Sequence, residues 1–218
     1  MNRALAGRRV LVTAGPTFED LDPVRFLGNR SSGKMGFAIA AAAQRAGADV
    51  VLVAGPVHLP TPEGVQRIDV RAAAQMHDAV FAALPADVYI GAAAVADFTP
   101  ERIAPSKIKK RPGEDGLTLH LVRTRDILAE VATATPRPAL VVGFAAETDD
   151  VDANARGKLA AKRVDLIAAN RVGLSGSGFE SDDNTLLVHD AHGQLQLGPA
   201  SKAEIADRLV ALVAARLA

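Results

Sequence analysis

At 218 residues, with 49% hydrophobic and 23% charged side chains, the chain has room for one globular domain with a substantial core. Its 25 basic and 25 acidic residues cancel, which removes the basic excess that a nucleic-acid or membrane-surface protein needs. The absence of cysteine excludes disulfides and thiolate metal sites and suits a reducing compartment, so a cytoplasmic protein is expected.

The N-terminal "MNRALAGRRV" lacks the apolar core of a signal peptide. "RRVLVTAG" is a short β-branched run ended by Gly15-Pro16, which predicts a buried strand. An Ala-rich helix is expected over residues 34–47, with Gly47 as its stop signal; its apolar run "FAIAAAA" is far below the ~20 residues that span a bilayer. "ADVVLVAGP" and "RIDV" follow as strands, then "AAAQMHDAVFAAL" with helical spacing. "ADVYIGAAAVADF" and "PALVVGFAAET" are two more long apolar runs, the first taken as a strand that ends at Asp97. A polar helix over about 150–162, the strand "VDLIAAN", a hairpin turning at His192-Gly193 and an amphipathic helix over 201–217 complete the chain. Strands that alternate with helices and are apolar on both faces imply a doubly wound, mostly parallel α/β sheet, a Rossmann-like three-layer fold with a small C-terminal hairpin.

Ligands on such sheets sit beyond the carboxyl ends of the strands, so the loops there carry the chemistry. Two are long, "TAGPTFEDLDPVRFLGNRSSGK" and "AVADFTPERIAPSKIKKRPGEDG". In the first, Gly28 to Lys34 spells G-x-x-x-x-G-K, but Met35 stands where a phosphate loop needs Ser or Thr. Some fourteen residues also separate it from the preceding strand, and G-x-G-x-x-G is absent. What remains is a helix start: Ser31, Ser32 and Gly33 precede it, where backbone N–H groups and the dipole attract anions, or where a Ser simply caps the helix. Asn29 offers a neutral amide that could hold an acyl oxygen, or it is a turn residue beside glycine. "KIKK" at 107–110 is either a solvated patch or a mobile basic flap over a polyphosphate. Asp97 could hold magnesium, ribose or a base amine. Lys158 and Lys162 are an i, i+4 pair on one helical face. The five histidines are scattered, no cluster has metal-ligand spacing, and no nucleophile elbow is present.

Taken together, "TAGPTFEDLDPVRFLGNRSSGKMGFAIA", "LVAGPVHLPTP", "GAAAVADF", "APSKIKK", "VVGFAAET" and "VDLIAAN" resemble the bacterial phosphopantothenoylcysteine synthetase family, in order from about residue 8 to the end. The resemblance implies a synthetase domain over 8–218 with 1–7 as a linker. It implies an acid–amino-acid ligase that joins 4′-phosphopantothenate to L-cysteine with CTP and Mg²⁺, through an acyl-cytidylate. Carried over by position, Asn29 and Lys107 would be the chemical residues, with Arg25 in the same half of the site as Asn29. Gly15, Asn29, Ser31, Gly33 and Gly36 fall on the phosphopantothenate site. Gly91, Asp97, Lys107, Phe144, Lys158 and Lys162 fall on the nucleotide site, together with Val122, Arg123, Thr124 and Arg125. The family often has Asn-Pro where this chain has Thr124-Arg125, so backbone contacts are what that segment would keep. Magnesium ligands are not marked. The family also implies a homodimer with a site completed across the interface. Its usual N-terminal partner is an FMN-dependent decarboxylase; that half is not in this chain, so FMN is not expected here. Two rival readings are an NAD(P)-dependent oxidoreductase on the same fold and a non-catalytic nucleotide-binding module.

Overall fold

The computed structural model describes residues 3–110, 113, 115–147, 151–171 and 183–217. In chain order the strands are β1 (Arg9–Ala14), β2 (Phe18–Asp20), β3 (Phe26–Gly28), β4 (Asp49–Ala54), β5 (Val65–Asp69), β6 (Val88–Gly91), β7 (Phe98–Pro100), β8 (Leu121–Arg123), β9 (Leu140–Glu147), β10 (Leu166–Arg171), β11 (Asp183–His189) and β12 (Gln194–Ser201). The helices are α1 (Lys34–Arg45), α2 (Ala73–Ala83), α3 (Ile127–Ala132), α4 (Val151–Lys162) and α5 (Lys202–Leu217).

Eight strands form one sheet in the order β12-β11-β10-β9-β6-β1-β4-β5. From β10 to β5 every neighbour is parallel, and the β11–β12 hairpin closes the other edge antiparallel. The unbroken apolar runs are explained by two buried faces. Val10, Val12 and Ala14 of β1, Val50 and Leu52 of β4, and Ile90 of β6 pack with Phe37 and Ile39 of α1 and Leu209 of α5. Their alternates Leu11, Val51, Val53 and Tyr89 pack on the opposite face with Met76 and Val80 of α2, Ile127 and Val131 of α3, and Ala155 of α4. Period-two alternation thus feeds two cores from each strand.

Four expectations need amendment. The strand expected to end at Asp97 stops at Gly91. The chain then leaves the sheet because Ala94 is claimed by the loop after β1: its N–H donates to Gly15 O (2.8 Å) and its carbonyl accepts from Thr17 N (3.2 Å). The two long loops hold antiparallel ribbons, β2–β3 and β7–β8, the first joined by Phe18 stacked on Phe26 at 4.0 Å. Helix α3 was unforeseen; Asp126 caps it by accepting from Ala129 N at 3.1 Å. The stretch expected as a linker places Leu5, 1% exposed, in the core, with its N–H on Ala46 O. Among the described residues no helix is long and apolar enough to cross a membrane.

Candidate active site

The strand order reverses between β1 and β6, and there a cleft of about 850 Å³ opens at the carboxyl ends of β1, β6, β9 and β10. Such switch points are where doubly wound sheets bind ligands, because the loops diverge to the two faces. Thr13, Gly91, Phe144 and Asn170 form its sheet side. The start of α1 supplies Asn29, Ser31, Gly33 and Gly36 on one wall. Asp97, Arg123, Thr124 and Arg125 form another, and Lys158 and Lys162 of α4 reach it as well.

The start of α1 owes its shape to glycine. Gly33 is the N-cap with φ 76°, and no side chain caps the helix. The serine cap considered from sequence is therefore replaced: Ser31 Oγ accepts from Gly33 N at 3.3 Å, outside the helix. Gly36 lets α1 lie against β1; a Cβ there would stand 2.5 Å from Ala14 Cβ. Gly15 does not line the cleft. It lies behind it, with φ 78° and a would-be Cβ 3.0 Å from Val57 and 3.2 Å from Gly55 O.

Asn29 Nδ2 donates to Ala94 O at 3.0 Å, which spans the cleft's two walls and leaves the amide oxygen as an acceptor. Thr124 holds the opposite wall, its N–H on Asp97 O (3.0 Å) and its hydroxyl on Ala96 O (2.6 Å). Lys162 pairs with Asp126 at 3.1 Å. The lining is rich in cations: Arg30, Lys34, Arg123, Arg125, Lys158, Lys162 and Lys202 line the cleft together with two acidic residues, Asp97 and Asp126. Sequence reading missed Arg30, Lys34, Lys202, Asn170 and Asn184. Lys202 is buried at the first turn of the last helix, where a lysine in the sequence reads as solvated. Among the described residues no three His, Cys, Asp or Glu side chains gather into a metal site.

Val122, Arg25 and Lys107 do not line the cleft. Arg25 instead belongs to a node beside it. The Asp22 carboxylate is buried and accepts from Val24 N (2.8 Å), Arg25 N (2.9 Å), Arg25 Nε (3.0 Å) and Ile108 N (3.0 Å). Arg25 Nη2 also donates to Ile108 O at 2.8 Å. The residue after Lys107 is thus bound at both backbone groups, and the lysine stretch is anchored at its stem. A D-x-x-R spacing in a turn is the only sequence signal for this node.

The Arg25 guanidinium, then the N–H groups of Ile108, Val24 and Arg25, hold the Asp22 carboxyl far below the ordinary aspartate range. A depressed folded-state value means that the contribution to stability is complete above the unfolded value, about pH 4, and is lost as pH falls from there. Asp22→Asn should therefore flatten the decline of stability below about pH 4, measured by urea melts at a series of pH values. Parallel declines in the two proteins would remove Asp22 from the account.

A sequence profile described as "DNA/pantothenate metabolism flavoprotein C-terminal domain" matches residues 5–217. The chain belongs to that family. Among its relatives, the coenzyme A biosynthesis bifunctional protein CoaBC of Vibrio cholerae is 51% identical over 212 residues, 97% of this chain and 53% of that protein. The protein of the same name from Escherichia coli is 49% identical over 203 residues, 92% of this chain and 50% of that one. The chain thus spans about half the length of the curated relatives it matches. The crystal structure of the C-terminal domain of CoaBC superposes with a TM-score of 0.83 at 36% identity, covering 99% of this chain and 98% of that one. A Cab2 mutant in complex with phosphopantothenate-cysteine shares the fold, with a TM-score of 0.76 at 17% identity over 96% of this chain and 87% of that one. The C-terminal domain of CoaBC therefore shares the three-layer frame on which this cleft is built.

Proposed function

We propose that the chain is a phosphopantothenate–cysteine ligase that uses CTP. The observation that carries this reading is the cationic cleft at the switch point, large enough for two anions and bridged by the Asn29 amide. A carboxylate is a poor electrophile. Attack of the phosphopantothenate carboxylate oxygen on the α-phosphorus of CTP forms a P–O bond, expels pyrophosphate and leaves an acyl-cytidylate. Attack of the cysteine amine on the acyl carbon then forms the amide, expels CMP and releases a proton.

The residues divide accordingly. Ser31, Gly33 and Gly36 would receive the substrate phosphate at the start of α1, where helix N–H groups favour anions. Asn29 would polarise the acyl oxygen and orient it for attack. Gly91, Asp97, Phe144, Lys158, Lys162 and the 123–125 wall would hold the nucleotide. Lys107 would stabilise the departing pyrophosphate, and Arg25, through Ile108, would position Lys107. Magnesium would enter on the nucleotide, since it commonly keeps one or two carboxylates plus phosphate oxygens; Asp97 is suited to hold it, Asp126 being already paired with Lys162. The metal would screen charge between the two anions.

Pyrophosphate release that requires CTP, phosphopantothenate and cysteine together is the expected result, with a nucleotide panel to rank CTP against ATP. Oxidation of NAD(P)H without pyrophosphate would instead favour an oxidoreductase, and nucleotide binding without turnover a non-catalytic module.

A homodimer belongs to the same proposal. Val24, Phe26, Phe98, Leu121 and Val122 leave apolar surface exposed on two adjoining ribbons. Surfaces of this kind mark contacts. Sedimentation equilibrium should give twice the chain mass of 22.6 kDa, and a single-chain mass would end this part. An FMN-dependent decarboxylase is the proposed partner, as a second domain or a separate chain.

A further inference from the structure

Behind the cleft lies a buried histidine that the chemistry above does not use. His77 of α2 is 5% exposed and stacks on Phe81 with ring centroids 4.4 Å apart. Its Nε2 stands 3.2 Å from Glu130 Oε2 on α3, and its Nδ1 stands 3.0 Å from Asp78 Oδ1. Glu130 accepts from Arg125 at both oxygens, from Nε at 3.1 Å and from Nη2 at 2.5 Å. The third arm, Nη1, returns to His77 Nδ1 at 3.3 Å. The tautomer with its hydrogen on Nε2 donates to Glu130 and accepts from Arg125, closing the ring at the expense of the contact to Asp78, to which only an Nδ1–H could donate. Arg125 and Glu130 are shifted as a paired cation and anion should be: the mutual hydrogen bond raises the guanidinium and lowers the carboxyl.

Arg125 lines the cleft, yet its guanidinium is committed to this ring. It therefore acts on a ligand through the backbone it holds rather than through its charge. Its neighbours are held separately, Thr124 by Ala96 and Asp97, and Asp126 by Lys162 and the α3 cap. A side-chain tether to α2 and α3 restrains the loop at Arg125.

We propose that Glu130 and His77 are positioning residues for the nucleotide: by holding Arg125 they fix the 123–126 wall against which the nucleotide rests. This rests on the ligase reading above.

Two measurements test it. In the ligand-free protein, Glu130→Ala and Arg125→Ala should each speed hydrogen exchange in the 121–132 segment by about fivefold, and the double variant should show no more than either. In steady-state kinetics the KM for CTP should rise by about fivefold in both, again without addition in the double, while Glu130→Ala keeps kcat at saturating CTP within about twofold. Glu130→Gln, which keeps the shape and some hydrogen bonding, should fall between, and His77→Gln should resemble it. A lower KM for CTP in Glu130→Ala would mean that the freed guanidinium binds nucleotide directly, and the proposal would be overturned. Additive effects in the double would overturn it too. Absence of CTP-dependent pyrophosphate release in the unaltered protein would defeat the ligase reading alone, since the exchange measurement still decides whether the brace exists.

Discussion

Lys107→Gln is expected to slow acyl-cytidylate formation by about 10²-fold, the usual loss when one preorganised charge is removed from a transition state. The thermal midpoint should hardly move, because the side chain is exposed and its removal breaks no packing. What makes the loss large is the stem. Ile108 is held at both its N–H and its carbonyl by Asp22 and Arg25, so the backbone that carries the ammonium is fixed and only the side chain remains to be ordered. The companion Asn29→Asp acts on the second half of the reaction. It replaces a donor to Ala94 O by an acceptor and sets a negative charge beside two anionic substrates. The intermediate should then accumulate even with cysteine present. Rapid quench with labelled CTP, with and without cysteine, measures both. Normal build-up of intermediate in the lysine variant would sink its role, and wild-type turnover in the asparagine variant would sink the other.

The second large effect is structural. Gly36→Val should cost about 3 kcal/mol, the upper part of the usual range for overpacking a core. The atoms in the way cannot yield: a Cβ at Gly36 meets Ala14 Cβ at 2.5 Å, Ala14 Cα at 3.1 Å and Thr13 O at 3.2 Å. The helix must lift off the sheet and carry Ser31 to Gly33 with it, so ligand binding should fall along with stability. For a chain of this length such a loss lowers the midpoint by about 6–12 °C. Gly157→Ala is the matched control. That glycine sits within α4 with no atom near its would-be Cβ, so alanine should stabilise by about 0.5–1 kcal/mol. Equal midpoints for the valine variant and the unaltered protein would show that α1 is free to shift.

The frame was legible because it is written in long apolar runs. "RVLVTA" and "DVVLVA" carry buried apolar residues on both faces, which a sheet covered on both sides accepts. The helix start at α1 was legible for a related reason, since glycines and serines precede an Ala-rich run, and the structure places Asn29, Ser31, Gly33 and Gly36 on the cleft. Elements of three residues were not legible. Strands β2, β3, β7 and β8 are held by pairings across turns, such as Phe18 on Phe26, that no periodicity reveals. The six-residue α3 escaped because it is shorter than two helical turns. Asp97 was misread as a strand end because "GAAAVAD" stays apolar after leaving the sheet, its alanines lining the cleft instead. Lys202 and His77 owe their burial to tertiary contacts alone. Arg25 lies outside the cleft lining, and its partner Ile108 is 83 positions away, beyond any local pattern.

The Asp22 node has one consequence for motion. A segment clamped at both backbone groups of Ile108 cannot swing as a whole, so any outward movement of the lysine stretch must pivot after that residue. Lys109 and Lys110 then travel, and Lys107 stays behind. Lys107 would then have to reach a polyphosphate by its side chain alone, from a Cα held outside the cleft, and only Lys109 and Lys110 could report closure in a fluorescence or crosslinking experiment.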